Sequence, residues 1–513
     1  MKGRIMSIEK ILNFAQHNPK QFILILLIGF FFLWSQFTRD KAMHQRNNSG
    51  QQKKAQNPSI PKQFIRRGKP DGVVLGSAGK DYFCVPEEHD LVNVLILGGS
   101  GSGKSSGPII STLLSNYADE KDGRPSFRTL AIDLKGELHK SIPTSQSSSS
   151  YYLIDPTDRD HSVGWDPFFL LNREENPDSD LMIRVFSSIA SSFIPSGGSD
   201  QAFFSENATS LLSGFLSWGF EHDIGMVDMV QKILTSNITE LLKKCLKESD
   251  EDSVSYSWLS KFQGTETSEA FQNFTSEMTT NLSCFKLNSV QYVLRDNPDK
   301  IGPADVREKD VFLSVPDNLL TQQTFAPVFR MILEQEMQYL TEKLPEKGTK
   351  PVCLLIDELY AVGGGPKGKL EGLETYLAIC RGYSSFCILS TQGLGQLQQQ
   401  YQKEGARIIL DNCRCKVYLE ASDIETINGA VEMCGKYYER ELSISNTDRM
   451  QSSVSWHEKD IFDRSYFLNL AANGRVIVIL QSGKNSFYNI KKLQWFRDKY
   501  LSRIHDTNPD KTE

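Results

Sequence analysis

Short apolar runs separated by longer amphipathic stretches recur along most of this chain. The runs are rich in Val, Ile and Leu and predict buried strands, whereas residues 325–340 repeat apolar positions at helical spacing. Buried strands that alternate with helices indicate a mostly parallel sheet covered on both faces, so the pattern predicts an α/β fold. The predicted strands cover residues 72–76, 92–97, 129–133, 151–155, 310–315, 352–357, 385–390, 415–419 and 475–480.

Residues 171–302 have a different pattern, with helical periodicity and no convincing strand. Leu181, Val185 and Ile189 share one helical face, and Ala208 and Leu212 begin a second such stripe. Ordinary core packing accounts for both stripes. We therefore expect an all-α insertion that interrupts the α/β domain.

A glycine-rich loop follows the apolar run that ends at Leu97 and precedes a helical stretch. Its sequence fits G-x4-G-K-[ST], the phosphate-binding loop, in the strand–loop–helix context that this motif needs. Lys104 is expected to reach the β- and γ-phosphates of ATP, and Ser105 to hold Mg²⁺. Backbone N–H groups of the loop and the helix N-terminus provide positive potential for the phosphates. The predicted nucleotide-binding residues are Gly98, Gly99, Ser100, Gly101, Ser102, Gly103, Lys104, Ser105 and Ser106.

A second apolar strand ends in two acids, Asp357 and Glu358, which is a Walker B pattern. Asp357 is expected to hold Mg²⁺, and Glu358 to orient and deprotonate the attacking water. The strand 385–390 leads to Gln392, a polar side chain placed to sense the γ-phosphate. Together these residues predict an ATPase. The alternatives are a strand end with solvated acids for Asp357 and Glu358, and a hydrogen-bonded strand-end amide for Gln392.

The N-terminal end differs in hydropathy and charge from the body. Residues 22–37 contain thirteen uninterrupted apolar residues and predict one membrane anchor, with a signal peptide as the rival interpretation. Residues 1–70 hold 13 Lys/Arg against two acids, a net charge of +11. Since the net charge of the whole chain is −6, residues 71–513 carry a net charge of −17. A basic segment beside a membrane favours anionic lipids, and the acidic body shows no broad nucleic-acid footprint.

Several phrases together resemble the type IV secretion coupling proteins of the TraG/TraD type. They include Asp133-Leu-Lys-Gly-Glu137 and Trp165-Asp-Pro-Phe168 before the helical insertion, and Phe204-Ser-Glu-Asn-Ala208 within it. After Walker B come Arg381-Gly-Tyr, Ser390-Thr-Gln392 and a final strand before Lys492. Their order and spacing extend over residues 70–500.

This resemblance implies a RecA-like P-loop motor that forms a homohexamer on the bacterial inner membrane, with its ATPase body in the cytoplasm. It implies relaxase–DNA complexes or effector proteins as cargo, and other secretion ATPases and inner-membrane proteins as partners. It also implies that an arginine from the neighbouring subunit completes each ATP site, and Arg381 is the best-placed candidate. A substrate-docking platform whose ATP site controls assembly and a DNA translocase of the FtsK/HerA kind are the alternatives.

The expected organisation combines the motifs with the hydropathy pattern. A nucleotide-binding domain is formed by two parts that flank the all-α insertion, and an N-terminal anchor and linker precede it. The predicted boundaries are 1–21 (N-terminal segment), 22–37 (transmembrane anchor), 38–69 (basic linker), 70–170 (first part), 171–302 (insertion), 303–500 (second part) and 501–513 (polar tail).

Overall fold

The fold is given by a computed structural model. It describes most of the chain after residue 59, together with scattered positions between 17 and 35. The described ranges are 60–85, 92–121, 127–143, 151–195, 202–315, 324–365, 368–421, 423–445, 451–482 and 484–506.

Every apolar run predicted as a strand forms one in the structure. The described residues also contain strands that the hydropathy pattern did not indicate, among them a hairpin over residues 436–460 and a strand over residues 484–491. The strands are β1 (Ile65–Arg66), β2 (Val73–Ala78), β3 (Asp81–Val85), β4 (Val94–Gly98), β5 (Arg128–Asp133), β6 (Tyr151–Ile154), β7 (Gly164–Trp165), β8 (Lys300–Ile301), β9 (Asp310–Ser314), β10 (Val352–Ile356), β11 (Ser385–Thr391), β12 (Cys415–Glu420), β13 (Lys436–Ser445), β14 (Gln451–Asp460), β15 (Arg475–Ser482) and β16 (Lys484–Lys491).

Twelve of these strands form one sheet in the order β1-β3-β2-β16-β15-β12-β4-β11-β10-β5-β9-β6. The seven strands from β12 to β6 are parallel to one another. The sheet is therefore mostly parallel, as the sequence predicts, and the parallel part is its centre and one edge.

The five remaining strands are antiparallel to their neighbours, and they include β2 and β15, which the hydropathy pattern predicts as strands. β15 runs antiparallel to β12, and β16, β2, β3 and β1 each run antiparallel to their neighbour. β15 and β16 form a hairpin in which Ser482 pairs with Lys484, and a hairpin reverses the direction of the chain. Two reversals make β16 run in the same direction as β12.

Helices cover both faces of the sheet. Alternate residues of β4 point to opposite faces, so that Leu95 and Leu97 join one apolar cluster while Val94 and Ile96 join the other. The helices are α1 (Ile110–Lys121), α2 (Leu138–Ser141), α3 (Phe169–Asn172), α4 (Ser179–Phe193), α5 (Ala202–Glu221), α6 (Met226–Thr235), α7 (Ile238–Glu248), α8 (Val254–Leu259), α9 (Glu269–Asn281), α10 (Asn288–Gln291), α11 (Ala326–Glu342), α12 (Leu359–Val362), α13 (Leu373–Ile379), α14 (Leu394–Asn412), α15 (Ile424–Cys434), α16 (Arg464–Leu468) and α17 (Lys499–Asp506).

The elements from α3 to α10 form what we call the helical block, residues 169–296, in which the described residues contain helices and turns but no strand. Its apolar residues belong to the same cluster as one face of the sheet, so the block shares its core with the α/β domain rather than forming a separate core. β7, which precedes the block in the chain, pairs with β8, which follows it, so the two segments that connect the block to the α/β domain lie side by side.

Hydrogen bonds of two buried side chains, Arg330 and Glu334, connect the helical block to the α/β domain, and we call the residues that form them the joint: Ser192, Arg330, Glu334, Gly363 and Glu371. The Arg330 guanidinium, 4% exposed, donates to the Ser192 carbonyl from Nε at 2.9 Å and Nη2 at 2.6 Å, and to the Gly363 carbonyl from Nη1 at 2.9 Å. Glu334 accepts from the Ser192 hydroxyl at 2.5 Å and from the Glu371 N–H at 3.0 Å. Helix α4, helix α11 and the loop after Walker B are thereby held to one another.

Within the described residues no helix is both long and apolar enough to cross a membrane. Half of the predicted anchor, residues 22–37, lies outside those residues, as do nearly all of the N-terminal segment 1–21 and most of the linker 38–69 and the tail 501–513.

Candidate functional site

The sheet topology brings the predicted site residues to one edge. Leu97 of β4 pairs with Thr391 of β11, and Ile356 of β10 pairs with Leu389 of β11. Because these strands are parallel, the segments that follow them leave the same edge of the sheet. The phosphate-binding loop, the acids after β10 and Gln392 therefore meet there.

The phosphate-binding loop has the backbone that its glycines allow. Gly101 (φ +76°) and Gly103 (φ +86°) occupy the left-handed region, which is costly for residues with a Cβ. The Lys104 ammonium donates to the Gly98 carbonyl at 2.7 Å and lies 3.8 Å from Glu358 Oε2. A buried cation whose main partner is a backbone carbonyl can transfer to a stronger anionic acceptor when one enters.

The two acids after β10 have distinct surroundings. Asp357 accepts from the Ser105 hydroxyl at 2.6 Å and from the Ser390 hydroxyl at 2.9 Å, so it is tied directly to the phosphate-binding loop. Oxygen ligands of this kind suit Mg²⁺. Ser105 and Asp357 are therefore the residues present that could hold such an ion.

Glu358 is a half-buried acid on a strained backbone. Its φ is +80°, which is unusual for a residue with a side chain, and burial raises the pKa of its carboxyl above the ordinary value. Lys104 opposes that rise through its charge. Glu358 Oε1 is buried and has no hydrogen-bond partner among the described residues, while Oε2 accepts from Gln392 Nε2 at 3.5 Å. Within the described part of the chain the carboxylate thus has a single, long hydrogen bond, which it accepts at Oε2.

These residues line a cavity of about 450 Å³, a volume within the range of ligand sites. Seven of the nine predicted nucleotide-binding residues line it, as do Asp357, Glu358 and Gln392. Gly98 and Ser102 do not: Gly98 contributes the carbonyl that holds Lys104, and the Ser102 side chain is buried.

Two charged residues in the same cavity, Lys135 and Glu137, had no role assigned from the sequence. They lie in the turn after β5, which Asp133 organises by accepting from the N–H groups of Glu137, Leu138 and His139, each at 3.0 Å. The signal that could have found them is the position of β5, which pairs directly with the Walker B strand β10.

Arg381 is the predicted site residue that the structure leaves outside this cavity. It is exposed on a short turn, Cys380–Tyr383, before β11, whereas Gln392 follows the same strand. Seven residues of strand separate the two, about 20 Å. Arg381 therefore does not reach the cavity of its own chain, and its action on a neighbouring chain stays a prediction.

A larger cavity of about 620 Å³ lies between α4, α11 and α13 and includes Glu334 of the joint. Its lining is mostly apolar and hydroxyl side chains, with Arg184 at its exposed rim. It contains neither a glycine-rich loop nor a strand-end acid pair within the described residues. We therefore assign the functional site to the smaller cavity.

Comparison with known proteins gives the family and the fold. Residues 45–510 match the family described as type IV secretory system conjugative DNA transfer. The structure is similar to an unbound bacterial conjugative coupling protein, TrwBΔN70, with a TM-score of 0.63 and 17% identity over 83% of this chain and 89% of that chain. It is also similar to TrwB bound to a non-hydrolysable ATP analogue (TM-score 0.62) and to ADP with Mg²⁺ (TM-score 0.62), each at 17% identity over 83% of this chain and 90% of that one. A search of curated proteins gives no significant match.

Proposed function

The chain belongs to the type IV secretory system conjugative DNA transfer family, and on that premise we propose that it is the motor ATPase that couples nucleotide hydrolysis to transfer through a type IV secretion channel. The observation that carries the proposal is the convergence of Lys104, Asp357, Glu358 and Gln392 on one cavity. The fold shared with TrwB supports it independently of those side chains.

The nucleotide is ATP, with Mg²⁺ as its partner ion. The related TrwB structures contain an ATP analogue and ADP with Mg²⁺. In this chain the left-handed glycines 101 and 103 give the loop room for phosphates, and Ser105 and Asp357 supply oxygen ligands for the ion. When bound, Mg²⁺ supplies positive charge beside the phosphate oxygens.

The chain's own residues then divide the work of hydrolysis. Lys104 exchanges its carbonyl partner for the γ-phosphate and stabilises the negative charge there. Glu358, which lines the cavity, orients water and accepts its proton as the water oxygen attacks phosphorus and ADP leaves. The raised pKa of Glu358 makes its carboxylate a stronger base than an exposed one. Gln392 holds the second oxygen of Glu358 and orients it.

The assembly around this site belongs to the same proposal. We infer a homohexamer on the bacterial inner membrane, with residues 22–37 as a single anchor, the body in the cytoplasm and the basic linker against anionic lipids. Arg381 of one subunit completes the ATP site of the next subunit. The Arg381 side chain does not line the nucleotide cavity of its own chain. Relaxase–DNA complexes or effector proteins are the cargo, and secretion ATPases and inner-membrane components are the further partners.

A transfer assay tests the function. Donor cells that lack this chain should transfer no substrate, the wild-type gene should restore transfer, and Lys104→Ala should not. Partial transfer with Lys104→Ala would instead support a docking platform whose ATP site controls assembly. Unchanged transfer in the absence of the chain would contradict the proposal and would favour a DNA translocase that acts elsewhere in the cell.

A further inference from the structure

A second lysine, Lys492, contacts the phosphate-binding loop from outside the cavity. Its ammonium donates to the carbonyl of Ser102. A Cβ placed on Gly103 would lie 2.8 Å from both Cε and Nζ of Lys492, so the side chain passes directly against the loop. Lys492 follows β16, which runs in the same direction as the parallel strands and therefore ends at the edge of the sheet that carries the site.

The segment that carries Lys492 is fixed on both sides. The Lys492 N–H donates to the Gly474 carbonyl at 2.9 Å, which continues the hairpin. The next residue, Leu493, is buried in the apolar cluster, and its carbonyl oxygen lies 3.1 Å from the position of a Cβ on Gly107. The backbone that carries the Lys492 side chain is thus fixed by a hydrogen bond and by packing, rather than lying in a flexible loop.

We propose that Lys492 is a positioning residue that holds the Ser102–Gly103 peptide in its phosphate-binding orientation. A trans peptide places its C=O and N–H on opposite sides. A Ser102 carbonyl held by Lys492 therefore turns the Gly103 N–H away from Lys492, and Gly103 lines the nucleotide cavity. The structure pairs that N–H with no acceptor among the described residues, so it is available to a phosphate oxygen.

The surroundings of Lys492 strengthen this contact. Burial lowers the pKa of the Lys492 ammonium, Glu420 opposes that effect and Arg497 adds to it. In the described part of the chain the Ser102 carbonyl is the one hydrogen-bond partner of the ammonium. A desolvated charged donor with a single acceptor holds that acceptor more strongly than an exposed one.

The inference rests on the proposed ATP site, and it predicts an effect on nucleotide binding rather than on the chemical step. Lys492→Met keeps the length and apolar stem of the side chain but removes its charge. We expect the Kd of the full-length protein for MgATP, measured in lipid nanodiscs, to rise about tenfold, with kcat at saturating ATP within about threefold of wild type. Lys492→Arg should restore most of the affinity, because it donates to the same carbonyl.

Lys491 provides a matched control, since it is the preceding residue and its side chain is exposed. Lys491→Met should leave the Kd unchanged. An unchanged Kd for Lys492→Met, an equal rise for Lys491→Met, or a loss confined to kcat would overturn the inference. If Lys492→Met unfolds, failure of a folded Lys492→Arg variant to bind MgATP within about threefold of wild type would overturn it equally. Lys104→Ala separates this outcome from failure of the ATP site, because the site itself is disproved only if Lys104→Ala also binds and turns over ATP normally.

Discussion

Two groups of charge flank the short helix α12, and they are built differently. In the nucleotide cavity, Lys104 rests on a backbone carbonyl and Glu358 keeps one oxygen without a partner. In the joint, Arg330 makes three hydrogen bonds to two carbonyls, and both oxygens of Glu334 have partners. The cavity is arranged to exchange partners with a ligand, whereas the joint is arranged to stay as it is.

The nucleotide cavity and the joint lie at opposite ends of the same short helix, α12, and they have different roles. Glu358 immediately precedes α12, and Gly363, which Arg330 holds, immediately follows it. A fixed end at Gly363 limits how far α12 can move and supports the strained backbone at Glu358. Variants in the cavity should therefore remove chemistry and leave the fold, and variants in the joint should cost stability first.

The largest effect is expected for Lys104→Ala. Loss of the cation that stabilises the γ-phosphate should lower ATP turnover about a hundredfold or more. The thermal unfolding midpoint without nucleotide should change little, because the hydrogen-bond partners left behind are two backbone carbonyls of the loop. Near-normal turnover would contradict the assignment of the cavity.

Arg330→Met tests the other side of the comparison. It leaves the buried Ser192 and Gly363 carbonyls without their donor and should lower the free energy of unfolding by about 3–5 kcal/mol. Arg184→Met is the control, since Arg184 is exposed on the same helix as Ser192, and it should change stability by less than about 0.5 kcal/mol. Equal unfolding midpoints for the two variants would show that the joint is not fixed.

Glu334→Gln should sharpen the comparison through pH. Burial raises the pKa of Glu334 to about 7, so the folded chain binds a proton there that the unfolded chain releases near pH 4.5. Stability contributed by the protonated carboxyl is therefore lost as pH rises from about 4.5 to 7. The free energy of unfolding of Glu334→Gln should be similar to that of wild type at pH 4.5. At pH 8 it should exceed that of wild type by up to about 3 kcal/mol. A wild-type to variant difference that does not change with pH would contradict the raised pKa.

A mixing experiment tests the predicted role of Arg381 between subunits. Lys104→Ala and Arg381→Ala proteins should each be inactive alone. In mixed rings about one quarter of sites combine an intact Lys104 with a neighbour's intact Arg381, so a corresponding share of activity should return. No recovery in rings shown to be mixed would assign Arg381 a structural role.

The smallest effect is expected on the surface of the helical block. Residues 171–300 hold 10 Lys/Arg and 19 Asp/Glu, a net charge of −9, which opposes non-specific DNA binding. Replacing the exposed acids Glu248, Asp250, Glu251 and Asp252 by Lys should weaken capture of a basic protein cargo several-fold and leave basal ATPase activity unchanged. The control exchanges the exposed acids Glu174 and Glu175. Tight, salt-sensitive DNA binding at this surface of the full-length wild-type protein would contradict this expectation.

The parallel strands and the residues at their ends could be predicted because each motif is continuous in sequence and follows an apolar run. β16 could not be predicted, since its sequence (Lys-Asn-Ser-Phe-Tyr-Asn-Ile-Lys) has few apolar residues and its position follows from the hairpin with β15. Lys492 was missed as a site residue for the same reason. The joint was missed because Arg330 and Ser192 are far apart in sequence, and nothing in an apolar helical stripe shows which polar residue is buried.

The measurement that tests the central claim most directly separates ATP binding from ATP hydrolysis in Glu358→Gln. The amide keeps the size of the carboxyl but cannot accept the proton of the attacking water. The account predicts that the full-length variant binds MgATP with a Kd near that of wild type and retains it unhydrolysed. Its ATP turnover rate should be at least about a hundredfold below that of wild type. Hydrolysis at the wild-type rate by this variant would contradict the claim that this cavity is the site of an ATP-hydrolysing motor.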